Sequence, residues 1–348
     1  MARKPTRGGS EPPDRVRFEA IFDRPELLGA LFGQFDQNLI ALENALGVFI
    51  SARGDRVSIE GEAVAAARAR DVLAGLHERL KRGATIDPGD VEGAVMLSSE
   101  PSLEGIVRAE DTGGPIVIRT RKKTIAPRSP TQLRYMEVLR SNDLIFALGP
   151  AGTGKTYLAV AQAVQQLIAG SVDRLILSRP AIEAGEKLGF LPGDMKEKVD
   201  PYLRPLYDAL YDMLPAEQVE RRITSGEIEI APLAFMRGRT LADAFIILDE
   251  GQNCTVAQMK MFLTRFGMRS RMVVCGDPNQ TDLGPGVRSG LGDAVERLDG
   301  VEGVGVVTFR AADVVRHQLV GRIVEAYEGP SCAAAPPSQA WLSATDPA

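Results

Sequence analysis

The chain has 348 residues, 44% of them apolar and 25% charged, with a formal net charge of −5. That length leaves room for two domains and a large core, and the composition is ordinary for a globular protein. The acid excess excludes a uniformly basic nucleic-acid coat while leaving room for a local basic groove.

No run reaches the roughly 18 apolar residues of a membrane span. The opening Met1-Ala-Arg-Lys-Pro-Thr-Arg7 lacks the apolar segment of a signal peptide. Cys254, Cys275 and Cys332 form neither a C-x-x-C pair nor a disulfide framework, so a reducing, cytoplasmic setting is expected. With His77 and His317 as the only histidines, a histidine-based metal site is not expected.

Residues 1–13 are polar, carry Gly8-Gly9 and Pro12-Pro13, and read as disordered. Residues 14–107 read as a small α+β domain. Arg15 to Phe22 alternates as a strand, and a helix runs from Pro25 to Leu31. Gly33-Gln34-Phe35-Asp36 breaks it before a second helix, Asn38 to Leu46. Strands at 47–53 and 56–60 flank the turn Gly54-Asp55, and a long helix spans 62–81. The order β-α-α-β-β-α resembles a KH-type RNA-binding domain, which clamps nucleotide backbone with a G-x-x-G loop. The corresponding loop here ends in Asp36, a carboxylate that repels phosphate and removes a permissive backbone position. RNA binding and a purely structural or protein-contact use both stay open. Arg68, Arg70, Arg79, Lys81 and Arg82 read as a solvated helix face.

Residues 108–127 form a basic hairpin or linker. Two short strands bracket Arg121-Lys122-Lys123, and Arg119, Arg128 and Arg134 add to the charge. Phosphate contact and a plain solvated hairpin both fit. The main domain is placed at 128–329. A helix starts at Pro130-Thr131-Gln132; in superfamily-one helicases a glutamine at this place reads the adenine edge, which an amide can do by donating and accepting at once.

An apolar strand, Leu144 to Leu148, then runs into Gly149-Pro150-Ala151-Gly152-Thr153-Gly154-Lys155-Thr156, the pattern G-x-x-x-x-G-K-[ST]. A helix follows to Ile168. The glycines let backbone N–H groups converge on phosphate oxygens, and the helix N-terminus adds positive potential. Lys155 is placed to reach the outer phosphates, and Thr156 to ligate Mg2+. A second strand ends in Arg179-Pro180. A helical stretch carrying Tyr202, Tyr207 and Tyr211, with Phe190 before it, offers either base-stacking surfaces or core packing. Ala244 to Leu248 ends in Asp249-Glu250: Asp249 for Mg2+, Glu250 as general base toward water. Arg271 to Gly276 leads into Gly276-Asp277-Pro278-Asn279-Gln280, similar to the helicase motif in which the glutamine senses the γ-phosphate. Residues 330–348 read as a disordered tail.

In this order the blocks resemble the PhoH family of P-loop ATPases, in the form with an N-terminal KH-like domain. The resemblance runs from about residue 15 to 328. It takes in Leu188-Gly-Phe-Leu-Pro-Gly193, Met236-Arg-Gly-Arg-Thr240, Ile246 to Asn253 and Asp313-Val-Val-Arg316-His317, with Gln318 where the family usually has Pro. It implies an α/β P-loop NTPase with a RecA-like, superfamily-one-helicase-like core, using ATP and Mg2+ in the cytoplasm. It also implies a role with RNA, and for some members rRNA maturation beside a small metal-dependent endoribonuclease. The alternative is an ATP-state-dependent interaction module that docks such a nuclease without unwinding RNA. A small-molecule kinase is disfavoured by the paired acids and by the Gly276–Gln280 block.

One core without a second implies either an arginine finger supplied by a neighbouring copy or slow hydrolysis that awaits a partner, since such a group is worth roughly 10³–10⁵ in rate. A homo-oligomer, most simply a hexamer, is expected. Arg237, Arg239, Arg310 and Arg316 are candidates for the finger, with Arg316 preferred.

Overall fold

The computed structural model describes residues 15–98, 116–180, 195–284 and 286–314. The preferred finger Arg316, His317, Phe190 and the tail therefore lie outside the described residues, as do 1–13.

The first part is a three-stranded antiparallel sheet, β1 (Arg15–Ile21), β2 (Phe49–Arg53) and β3 (Arg56–Glu62), in the order β1-β3-β2. Helices α1 (Leu28–Phe32), α2 (Gln37–Leu46), α3 (Ala63–Lys81) and α4 (Pro88–Ser98) complete it. Leu31, Leu42, Val57, Ile59 and Leu76 form a closed core of their own. The expected order is found, with α4 added. Gly89 and Gly93 hide that helix from propensity arguments. Packing requires Gly93: a Cβ there would lie 2.7 Å from Arg128 Cα.

The loop at 33–36 departs from expectation. Asp36, in the place of a second glycine, still takes the left-handed conformation with φ 57°, and Phe35 does so at φ 52° while 96% exposed. The permissive backbone position is kept without glycine, at the cost of local strain, which an aspartate tolerates better than a phenylalanine.

The second part is a six-stranded, wholly parallel sheet in the order β11-β6-β10-β9-β7-β8. Its strands are β6 (Leu144–Leu148), β7 (Arg174–Arg179), β8 (Ile228–Pro232), β9 (Ala244–Leu248), β10 (Arg271–Gly276) and β11 (Val304–Thr308). The inner strands are continuous apolar runs because both faces are covered, as parallel sheets require. On one face lie α5 (Pro130–Ser141), α6 (Lys155–Ile168) and α7 (Met195–Met213), around Tyr135, Ile145, Val160 and Leu206. On the other lie α9 (Val256–Leu263) and α10 (Gly290–Leu298), around Phe146, Ile246 and Phe262. The short α8 (Ala216–Thr224) leads into β8.

The basic hairpin exists as β4 (Ile118–Arg119) and β5 (Thr124–Ile125). Two of its lysines are spent on α7. Lys122 Nζ donates to the Tyr211 carbonyl at 2.7 Å, and Lys123 donates to Asp212 and, at 3.3 Å, to the Tyr157 hydroxyl. Tyr207 and Tyr211 pack against the core.

Replacing Leu31 by Ala is expected to lower stability by about 2–5 kcal/mol. Phe35→Gly, which relieves left-handed strain of about 1–2 kcal/mol at the cost of about 0.5–1 in chain entropy, should leave it unchanged or raise it slightly. Urea melts of the two variants check both directions.

Candidate nucleotide-binding site

Register places the site. Leu148 is paired with Gly276, and Leu248 with both Val274 and Ser178, so four parallel strands end within two residues of one another. The residues immediately past those ends are Gly149, Asp277, Asp249-Glu250 and, on the last residue of β7, Arg179. An open α/β sheet keeps its ligands at this edge.

Gly149 has φ 131°, and a Cβ there would lie 2.4 Å from the Phe309 carbonyl oxygen, so only glycine turns the chain out of β6. Residues 150–154 curl from there onto the N-terminus of α6. Lys155 Nζ donates to the carbonyls of Gly149 at 2.7 Å and Pro150 at 2.8 Å. Burial holds its ammonium below the ordinary lysine value, against the pull of Asp277, Asp249 and Glu250. Thr156 Oγ1 donates to Asp249 Oδ1 at 2.6 Å. Burial pushes the Asp249 carboxyl above the usual aspartate value, although the Thr156 hydrogen bond and the Arg179 guanidinium pull it down.

These groups surround one cavity of about 690 Å³, lined by Gly152, Gly154, Lys155, Thr156, Asp249, Glu250, Asp277 and Gln280 among others. Gln132 stands behind the loop rather than in the cavity. It is buried; its Nε2 donates to the Thr153 carbonyl at 3.0 Å, and its Oε1 accepts from the Arg128 N–H at 2.8 Å. It braces the phosphate loop in this arrangement. Arg128 reaches back to the first part, with Asp87 Oδ2 at 2.7 Å and Asp90 Oδ1 at 3.6 Å.

Two residues of the site carry no role in the motif reading. Arg179 Nη2 lies 3.3 Å from Glu250 Oε1 and Nη1 3.9 Å from Asp249 Oδ2, so a cation of this same chain spans both acids. An arginine ending a strand parallel to the acid-bearing one was the available signal. Gln252 Nε2 donates to Glu250 Oε2 at 2.5 Å, and nothing in the sequence marks that contact. Among the finger candidates, Arg239 is spent on Glu229 at 2.6 and 2.7 Å. Arg237 and Arg310 are exposed.

A hydroxyl and a carboxylate 2.6 Å apart at a phosphate loop suit Mg2+. That ion takes few protein oxygens and completes its shell with water and phosphate. Among the described residues no group of three or more His, Cys, Asp or Glu forms a metal cage.

A strand inserted between the phosphate-loop strand and the acid-bearing strand, with the loop, lysine and acids at one edge, defines an α/β P-loop NTPase. The family described as PhoH-like protein matches residues 124–328, and the chain belongs to that family. It is 47% identical over 304 residues to the PhoH-like protein of Bacillus subtilis, covering 87% of this chain and 95% of that one. The PhoH-like protein of Mycobacterium tuberculosis is 47% identical over 303 residues, 87% of this chain and 85% of its own. Protein PhoH of Escherichia coli is 50% identical over 205 residues, 58% of each chain. Among solved structures, the S. cerevisiae Hsp104-ADP complex overlaps at TM-score 0.25 and 12% identity, covering 75% of this chain and 47% of that one, a likeness that carries no argument.

The thiols of Cys254 and Cys275 are buried and pushed up to about 12 by that burial. Neither should react with a thiol reagent at pH 8 in the folded protein, and both should react in denaturant, as peptide mapping after alkylation would show.

Proposed function

We propose that the chain is a Mg2+-dependent ATPase whose cycle is coupled to RNA. The observation that supports this best is the meeting of Lys155, Thr156, Asp249, Glu250 and Gln280 around a single cavity of triphosphate size. Gly149 to Thr156 and the α6 N-terminus would hold the phosphates, and Lys155 would leave its loop carbonyls for the outer ones. Thr156 and Asp249 would hold Mg2+, which screens the phosphate charge and favours the ionised form that burial disfavours in Asp249. Glu250 would take a proton from the attacking water. Gln280 would contact the third phosphate.

Adenine selection by Gln132 belongs to the same reading. Its Oε1 can accept a second hydrogen bond beside that from Arg128, whereas its Nε2 is aimed at the loop. Arg179 alters the picture of the finger. A guanidinium already beside both acids could steady the third phosphate within one copy, and Arg316 or another arginine from a neighbouring copy would add to it. A homo-oligomer, most simply a hexamer, a cytoplasmic setting, and contact of the KH-like part or of the exposed Arg119 and Arg121 with RNA complete the proposal. So does a part in rRNA maturation beside a small metal-dependent endoribonuclease. Among the described residues no helix is long and apolar enough to cross a membrane.

Phosphate release is the test. The parent chain should hydrolyse ATP with Mg2+, and Glu250→Gln should keep nucleotide binding while losing about 10²–10⁴ in turnover. Lys155→Ala should lose both. RNA should raise the parent's rate, and the rise should fade with added salt. Turnover untouched by RNA, together with ATP-dependent capture of the endoribonuclease, would favour the docking-module reading. Turnover that survives Lys155→Ala would end both. Light scattering alongside the assay reads the oligomeric state.

A further inference from the structure

Gln252 is spent entirely on its neighbours. It is 2% exposed and does not line the cavity, yet every polar atom of its amide is engaged. Nε2 donates to Glu250 Oε2 at 2.5 Å and to the Gln280 carbonyl at 3.1 Å, while Oε1 accepts the Asp277 N–H at 3.1 Å. Its own carbonyl accepts from the Ser289 hydroxyl at 2.8 Å, which fixes the backbone from which the side chain springs. Two donors and an acceptor at one end of a flexible stem are what this place needs. A glutamate would turn an acceptor toward the acid. An apolar side chain would leave the buried Asp277 N–H without a partner.

Two further features are shaped around this amide. Gly276 lacks a side chain where a Cβ would sit 2.6 Å from Gln252 Oε1; Leu291 Cδ2 is equally near, but it is the end of a side chain that can give way. Glu250 holds φ 52°, a left-handed conformation that is costly for a non-glycine residue and is here supported by contacts on both carboxylate oxygens. Arg179 supplies one fixing contact on Oε1, and Gln252 the other on Oε2.

We propose that Gln252 is a positioning residue that ties the Glu250 carboxylate to the 277–280 turn, so that displacement of the turn moves the acid. The inference rests on the ATPase reading above. Gln280 lines the cavity and gives its carbonyl to Gln252. A change at the third phosphate is therefore passed through two hydrogen bonds to the group that handles water. Gly276 is glycine to let that amide reach the Asp277 N–H.

The test uses the full chain with MgATP and compares turnover, equilibrium nucleotide binding and thermal midpoint. Gln252→Ala should bind nucleotide within about threefold of the parent and lose about 10- to 100-fold in kcat, a share of the roughly 10²–10⁴ that a positioned base supplies. Gly276→Ala leaves Gln252 in place but pushes on Oε1, and should show the same split. The combined Gln252→Ala, Gly276→Ala variant should be little slower than either alone, because the amide on which the added methyl presses is then gone and the Leu291 side-chain end beside it can give way. Gln252→Ala and Gln280→Ala should likewise be strongly sub-additive. Unchanged kcat in Gln252→Ala would overturn the proposal. So would additive losses, or a parallel fall of binding, turnover and melting that marks a merely structural role. A parent chain without turnover, equal to Glu250→Gln, would instead overturn the ATPase reading, and this inference with it.

Discussion

The register of the parallel ladder is the constraint on which the site depends. Phe309 N–H donates to the Leu148 carbonyl, Gly149 N–H to Gly276 and Asp249 N–H to Ser178, at 2.7, 3.1 and 2.9 Å. These bonds continue the sheet past its strands and, with the pairing of β9 and β10, set five chain segments side by side at its edge. A slip of one residue in any of them would turn its side chains to the opposite face. The lysine, the hydroxyl, the acids and the turn at 277–280 come from separate stretches of sequence. They share one cavity because the strands that carry them end within two residues of one another at one edge of the sheet.

Lys155 and Asp249 are both displaced by burial toward their neutral forms. Opposite charges, anionic phosphates beside the lysine and a divalent cation beside the aspartate, would favour the charged forms. Binding and ionisation are thus linked. Arg179 fits the same logic: half-buried, it shares its charge between two acids, and a third phosphate would compete with them for it.

Much of this was legible in the sequence, and the reason is local. Strands at 144–148, 174–179, 244–248 and 271–276 are apolar runs that stop at residues with obvious chemistry, so pattern and chemistry confirm each other. β8 and β11 escaped because Ile228–Pro232 and Val304–Thr308 are short and carry a proline and a glycine. The helix α4 escaped because its glycines answer to Arg128, far along the chain. Gln252 escaped for a different reason. Its partners, Asp277 and Gln280, meet it only through the pairing of β9 with β10, and no spacing within one segment encodes that meeting. The loop at 33–36 shows the reverse case, where a missing glycine pointed to the loss of a left-handed position and Asp36 takes that conformation all the same.

The grip of α4 on Arg128 has a practical side. A fragment trimmed to the region shared with the family, from residue 124 onward, would keep Arg128 but discard Asp87, Asp90 and the surface of Gly93 that seats it. The guanidinium would then be free to swing, and the N–H that anchors Gln132 would belong to a fraying chain end. Since Gln132 in turn holds Thr153, the looseness would travel into the phosphate loop. The P-loop part on its own would therefore present a looser phosphate loop than the intact chain does.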